Sequence, residues 1–169
     1  MEFKHIPIML NEIIENLNIV PDGVYVDCTL GGAGHSLEIA KKLNDKGILI
    51  GIDKDATAIN VSRERLKNLK CKVILVQDDF KNLKTILQQN NISKVNGILA
   101  DLGVSSYQID EVDRGFSYSK DAPLDMRMNT SQTLTAKEVV NSYSEKDLLN
   151  ILYTYGEENF AKSWYGGGR

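Results

Sequence analysis

The chain has 169 residues, 42% hydrophobic and 25% charged, with a formal net charge of −3. That suits one soluble domain of ordinary size and removes any global electrostatic pull toward nucleic acid, although a basic patch can still sit on an acidic protein. The two cysteines, Cys28 and Cys71, lie in apolar strand-like runs without Cys-x-x-Cys or Cys/His spacing. This argues against a disulfide scaffold and a metal site, and for a reducing, cytoplasmic setting. No charged leader with an apolar core opens the chain, and no apolar run approaches membrane-spanning length, so no membrane partner is expected.

From residue 10 to 104, helical and strand patterns alternate. Ile13, Ile14 and Leu17 predict a short amphipathic helix, and Pro21-Asp22-Gly23 a turn. Val24 to Cys28 reads as a buried strand, His35 to Leu43 as a helix, and 47–53 as a second strand. Asp55 is placed to cap a helix over 56–69, with Ala58, Ile59, Leu66 and Leu69 inward. A third strand is expected over 71–77, a helix near 82–89, and a fourth strand over 97–101. Near-continuous apolar strands separated by helices predict a parallel sheet covered on both faces. Residues 105–129 show no sustained periodicity, and a segment of that length without regular structure is often functional. Thr135 to Glu138 and Ser144 to Asp147 then resemble helix caps, followed by an apolar face of Leu148, Leu149, Ile151 and Leu152. The last residues, Trp164 to Arg169, do not read as a continuing helix. Four strands make a small sheet with an exposed edge, which predicts a piece of a larger protein.

The chemistry concentrates where strands end. After the first strand comes Gly31-Gly32-Ala33-Gly34, a turn that brings bare backbone close to a ligand. The second strand ends in Asp53, and an acid about 20 residues beyond such a turn is placed to hold a ribose hydroxyl. A strand–helix turn without a ligand and a solvated strand-end acid are the plainer alternatives. Aligning Gly32 and Gly34 with the dinucleotide fingerprint puts Leu37 where the third glycine belongs. That departure, with Asp27 and Thr29 before the turn, favours a cofactor without phosphates over NAD, and S-adenosylmethionine is the candidate.

Asp78-Asp79-Phe80 closes the third strand, where an acid can meet an adenine amino group and Phe80 can stack on the ring or simply join the core. Asp101 closes the fourth, on the same crevice as Gly34 and Asp53. A carboxylate there could orient an exocyclic amine such as cytosine N4, whose lone pair is delocalised into the ring, and help it shed a proton; it could equally cap the next turn. Neither cysteine lies on a post-strand loop, as a covalent scheme would need. Gln108, Arg114, Lys120 and Arg127, interleaved with Tyr107, Phe116 and Tyr118, could grip phosphates and stack bases. The acids of the same stretch, Asp110, Glu111, Asp113, Asp121 and Asp125, leave a self-paired ordered loop as the alternative.

Several segments together resemble one family. They are His5-x-Pro7-Ile8-Met9-Leu10, Asp27-Cys28-Thr29-Leu30-Gly31-Gly32-Ala33-Gly34-His35-Ser36, Asp101-Leu102-Gly103-Val104-Ser105-Ser106-Tyr107-Gln108, Arg114-Gly115-Phe116-Ser117, Ala122-Pro123-Leu124-Asp125-Met126-Arg127-Met128 and Tyr155-Gly156-Glu157-Glu158-Asn159-Phe160-Ala161. The family is the bacterial 16S ribosomal RNA cytosine-N4 methyltransferases. The resemblance implies an α/β, Rossmann-like class I methyltransferase fold with an incomplete parallel sheet and the start of an inserted helical domain. It implies S-adenosyl-L-methionine over residues 1–104, and a substrate loop with partial helical insert over 105–169. Carried over by position, Ala33, Gly34, His35, Asp53, Phe80, Asp101 and Gln108 would contact cofactor, and Asp101 would be catalytic. The implied partner is 16S rRNA in the small ribosomal subunit, with a homodimer as a candidate assembly. The alternative is a truncated cofactor-binding module that does no chemistry.

Overall fold

The computed structural model describes residues 7–166, so the expectations that rest on His5 and on residues 167–169 lie outside it. Two compact units divide the chain, residues 1–105 and 106–169.

In the first unit, α1 (Leu10–Asn16) leads into β1 (Val24–Asp27), α2 (Gly34–Lys42), β2 (Ile48–Asp53), α3 (Ala56–Arg65), β3 (Lys72–Gln77), α4 (Leu83–Gln89) and β4 (Gly97–Leu99). The strands form one sheet in the order β3-β2-β1-β4, with every pairing parallel. Side chains alternate across the pleat, so neighbours in sequence enter opposite layers. Tyr25 and Leu49 join Ile39, Ala40 and Ile59 from α2 and α3 on one face. Val26, Ile50 and Ile52 meet Ile86 and the α4 residues Leu83 and Leu87 on the other. The chain steps outward from β1 to β2 to β3 and then crosses back to β4, and the single hand of βαβ crossovers puts the returning helix on the opposite layer. The expected α/β architecture with helices on both faces is thus present.

Two boundaries differ from expectation. α3 stops at Arg65 rather than reaching Leu69. Leu66 is buried and Leu69 packs on the same core from the turn that follows, so both satisfy the apolar period without being helical. β4 ends at Leu99, not Asp101. The Cys28 N–H takes the Leu99 carbonyl at 2.8 Å, and the next free donor, Asp101 N–H, turns to a side chain instead. Ile98 is 49% exposed on this edge strand.

In the second unit, residues 106–129 hold more order than their sequence suggests: α5 (Ser106–Asp110) and a 3-10 turn at Val112–Arg114. Gly115 follows at φ 70°, and a Cβ there would lie 2.3 Å from the Pro123 carbonyl oxygen, so the tight approach of 114–115 to 123–126 requires glycine. α6 (Ala136–Ser142) opens with the complete capping box of Thr135 and Glu138. α7 (Glu145–Tyr155) is capped by Ser144, whose hydroxyl accepts from the Asp147 N–H. Leu148, Leu149 and Ile151 are half-buried and Leu152 is exposed. Contrary to expectation, α8 (Ala161–Gly166) carries Trp164 and Tyr165 in a helix. The Glu158 carboxylate accepts from the Phe160 N–H at 2.8 Å and so caps the turn that starts it, a signal hidden by the glycines that follow. Among the described residues no helix is long and apolar enough to cross a membrane.

Candidate functional site

The glycine turn is held by the residue that ends β1. Asp27 is 2% exposed. Its carboxylate accepts from the Ser36 hydroxyl at 2.7 Å and the Thr29 N–H at 3.0 Å, which fastens β1 to the first turn of α2 across the loop. Burial pushes this carboxyl above its ordinary value, and the two donors pull the other way. Sequence reasoning weighed Asp27 only in the choice of cofactor. Its Asp-x-Thr spacing, an Asx-type turn, was the signal for an anchor.

Within the turn, Gly31 (φ 49°) and Ala33 (φ 57°) are both left-handed. For Ala33 that backbone costs about 1 kcal/mol or more, so the surroundings must impose it. Gly34 lies against Pro7, and a Cβ at Gly34 would fall 2.4 Å from the proline Cγ. No side chain caps α2, which leaves the backbone N–H groups of its first turn as donors. The His35 ring is engaged elsewhere: its Nε2 donates to the Ile8 carbonyl at 2.9 Å, so what His35 offers at the turn is its backbone.

Asp53, at the end of β2, is bonded directly to this turn. Its Oδ2 accepts from the Gly31 N–H at 2.8 Å and its Oδ1 from the Asp55 N–H at 2.9 Å. A carboxylate has about four acceptor positions, so roughly two remain for a ribose diol. Asp55 then caps α3 through the Thr57 N–H. One strand over, the Asp78 N–H bonds the Asp53 carbonyl, and a short 3-10 turn begins at Phe80. The Phe80 ring is 38% exposed, with the Lys54 ammonium 5.8 Å from its centroid. Lys54 also pairs with Asp79 at 3.0 Å. The Lys81 backbone N–H and the Lys54 ammonium hold the Asp79 carboxyl below the usual carboxylate range.

Asp101 reaches the same end of the sheet by another tether. Its N–H donates to the Thr29 hydroxyl at 2.7 Å, while its carboxylate side is exposed. The first unit therefore gathers Ala33, Gly34, the His35 backbone, Asp53, Phe80 and Asp101 around the ends of four neighbouring strands. Gln108 belongs to the second unit, buried on α5.

The basic residues of the second unit are mostly committed to structure. Arg114 is 8% exposed and donates to the carbonyls of Arg127 and Met128. Arg127 forks onto Asp125 at 2.9 and 2.6 Å and reaches the Thr130 carbonyl. This holds the Asp125 carboxyl below its ordinary value. The self-paired alternative thus describes these two arginines. Lys120 differs: it lines a cavity of about 170 Å³ with Ile109, Asp110, Val112, Ser117 and Ser119. Tyr118 beside it is fully exposed.

A parallel sheet with a glycine turn after its first strand, an acid closing the second and a tethered acid beyond the fourth defines a Rossmann-like α/β domain. Residues 2–164 match the family model described as the MraW methylase family. The chain belongs to that family. It is 57% identical to the ribosomal RNA small subunit methyltransferase H of Clostridioides difficile (strain 630) and 60% identical to that of Clostridium botulinum (strain Kyoto / Type A2). Each match covers 96% of this chain and 52% of the relative, so the chain spans about half the length of the curated relatives it matches. A solved SAM dependent methyltransferase from Aquifex aeolicus aligns at 18% identity over 88% of this chain and 79% of that one, with a TM-score of 0.42.

Proposed function

We propose that the first unit binds S-adenosylmethionine, and that the chain is the cofactor-holding part of a cytoplasmic methyltransferase acting on N4 of a cytidine in 16S rRNA of the small ribosomal subunit. The observation that carries this reading is the bond from Gly31 N–H to Asp53, which joins the turn and the ribose acid into one unit. The residues present fit the cofactor: Asp53 has acceptor capacity left, the first turn of α2 is uncapped and Phe80 is partly exposed beside the Lys54 ammonium. The order of domains implied by the resemblance, cofactor first and substrate loop after, is part of the same proposal.

When bound, the cofactor supplies an electrophilic methyl group on a sulfonium. Asp53 would hold the ribose hydroxyls, Phe80 would pack near the adenine, and Ala33, Gly34 and His35 would present backbone. Asp101 would accept a hydrogen bond from the N4 amine. That bond would localise the nitrogen lone pair for in-line attack, and the carboxylate would take the proton the amine sheds as the methyl leaves the sulfonium sulfur, which keeps the electron pair, for nitrogen. The bond from Thr29 to the Asp101 backbone sets where that carboxylate stands.

Calorimetry with S-adenosylmethionine tests the cofactor assignment. The Asp53→Ala chain loses two charge-assisted hydrogen bonds of about 1.5–3 kcal/mol each, so binding weakens at least about 100-fold. A well-folded wild-type chain that does not bind the cofactor refutes the reading. Transfer of labelled methyl to small subunits lacking the mark tests the chemistry, and it should vanish in Asp101→Ala. The coverage of 52% of each relative favours a second reading, binding without transfer. Intact cofactor binding with no incorporation would support it.

A further inference from the structure

The loop that carries the glycine turn is held from behind by α3. Ser62 and Arg65 are one helical turn apart and so share a face. The Ser62 hydroxyl, buried, donates to the Gly31 carbonyl at 2.9 Å. The Arg65 guanidinium, exposed, donates through Nη1 to the Gly32 carbonyl at 2.7 Å. Meanwhile the Gly31 N–H is taken by Asp53 and the Ala33 N–H by the Leu30 carbonyl at 2.8 Å.

A trans peptide points its C=O and N–H in opposite directions. Drawing the Gly31 carbonyl onto α3 therefore turns the Gly32 N–H away from α3. The Gly32–Ala33 peptide is fixed at both ends, its carbonyl by Arg65 and its N–H by Leu30. Without that hold the left-handed Ala33 could relax toward commoner backbone, and the entry to α2 would rotate with it.

We propose that Arg65 is a positioning residue for the cofactor turn: its hydrogen bond to Gly32, seconded by Ser62, sets the peptide orientations that a bound S-adenosyl ligand meets. This rests on the cofactor reading given above. Arg65 touches no ligand in this role. It acts through the backbone of Gly32 and Ala33, and it sits far enough out on α3 for the chain to fold without it.

The full 169-residue chain, as wild type, Arg65→Ala and Arg65→Lys, tests this with two measurements. Calorimetry uses S-adenosylhomocysteine as the probe, and amide hydrogen exchange follows Ala33 against Ile50 in the central sheet. Losing one solvent-facing, charge-assisted bond should weaken the probe about three- to tenfold. It should speed exchange at Ala33 by a similar factor while Ile50 and the thermal midpoint stay put. Arg65→Lys, which keeps a charged donor, should recover most of both. If the wild type binds the probe and Arg65→Ala binds it equally well, the proposal is overturned, whether or not Ala33 exchanges faster. If the wild type does not bind the probe, the cofactor reading itself falls, and the positioning role falls with it.

Discussion

Replacing Asp27 by alanine should loosen the glycine-turn end of the first unit. Its carboxylate is the acceptor for the Ser36 hydroxyl, which is fully buried, and for the Thr29 N–H. Each buried donor left without an acceptor costs about 1–3 kcal/mol. Removing a carboxylate that burial disfavours returns part of this, leaving a net loss of about 2–4 kcal/mol. Asp27→Asn keeps an acceptor for Thr29 but obliges the Ser36 hydroxyl to turn round, so its loss should be about 1 kcal/mol. In urea, with a slope of about 1–3 kcal/mol per molar, the alanine variant should unfold roughly 1–2 M earlier. Far-UV circular dichroism reads the transition.

The pH dependence carries a sign. Asp27 has a raised carboxyl value when folded, so the native state binds its proton more readily than the unfolded chain. Its favourable contribution is complete below the unfolded value of about 3.8 and is lost as pH rises through the higher folded value. Asparagine has no such term. The stability of wild type minus Asp27→Asn should therefore grow as pH falls from 7 toward 4. A difference that grows with rising pH, or an alanine variant as stable as wild type, would refute the anchoring role.

Thr29→Val removes the hydroxyl that receives the Asp101 N–H while keeping shape. The Asp101 amide should exchange about five- to tenfold faster, with Thr29→Ser close to wild type. Gly115→Ala places a methyl against the Pro123 carbonyl at a left-handed residue. The second unit should lose at least about 2 kcal/mol, seen as faster amide hydrogen exchange along α7; unchanged exchange contradicts the tight approach. Asp125 is held below its ordinary carboxyl value by Arg127, so that pair's contribution is present above the unfolded value near 3.8 and disappears as pH falls through the folded one. Asp125→Asn should flatten the second unit's acid profile below about pH 4, and an identical profile would remove the pair from the account.

The sheet was readable because β1, β2 and β3 are apolar runs bounded by turns, and the turn chemistry of Asp55 and Thr135 marked helix starts that the structure has. Leu69 misled because an apolar residue can reach the core from a turn as well as from a helix. Asp101 was read as the end of a strand because residues 97–100 are apolar or small, but the partner of its N–H is a threonine hydroxyl on another loop. Pattern does not encode such a bond. Arg114 and Arg127 looked like phosphate ligands for a related reason. A guanidinium that holds backbone carbonyls has the same letters as one that faces solvent, and only the Asp125-x-Arg127 spacing hinted at the fork. Asp53 was legible as an acid closing the second strand. Its bond to Gly31, which fuses acid and turn, was not.

The pairing of β1 with β4 aligns Asp27 with Leu99, and two residues beyond each stand Thr29 and Asp101, joined by their hydrogen bond. The two loops thus leave the sheet at matched heights. Inserting or deleting one residue between Asp27 and Thr29, or between Leu99 and Asp101, would shift one partner by about 3.3 Å along the strand direction and break the bond. Substitution can be absorbed at these positions more readily than any change of length. The number of residues in each loop is itself a functional quantity, and the two numbers can change only together.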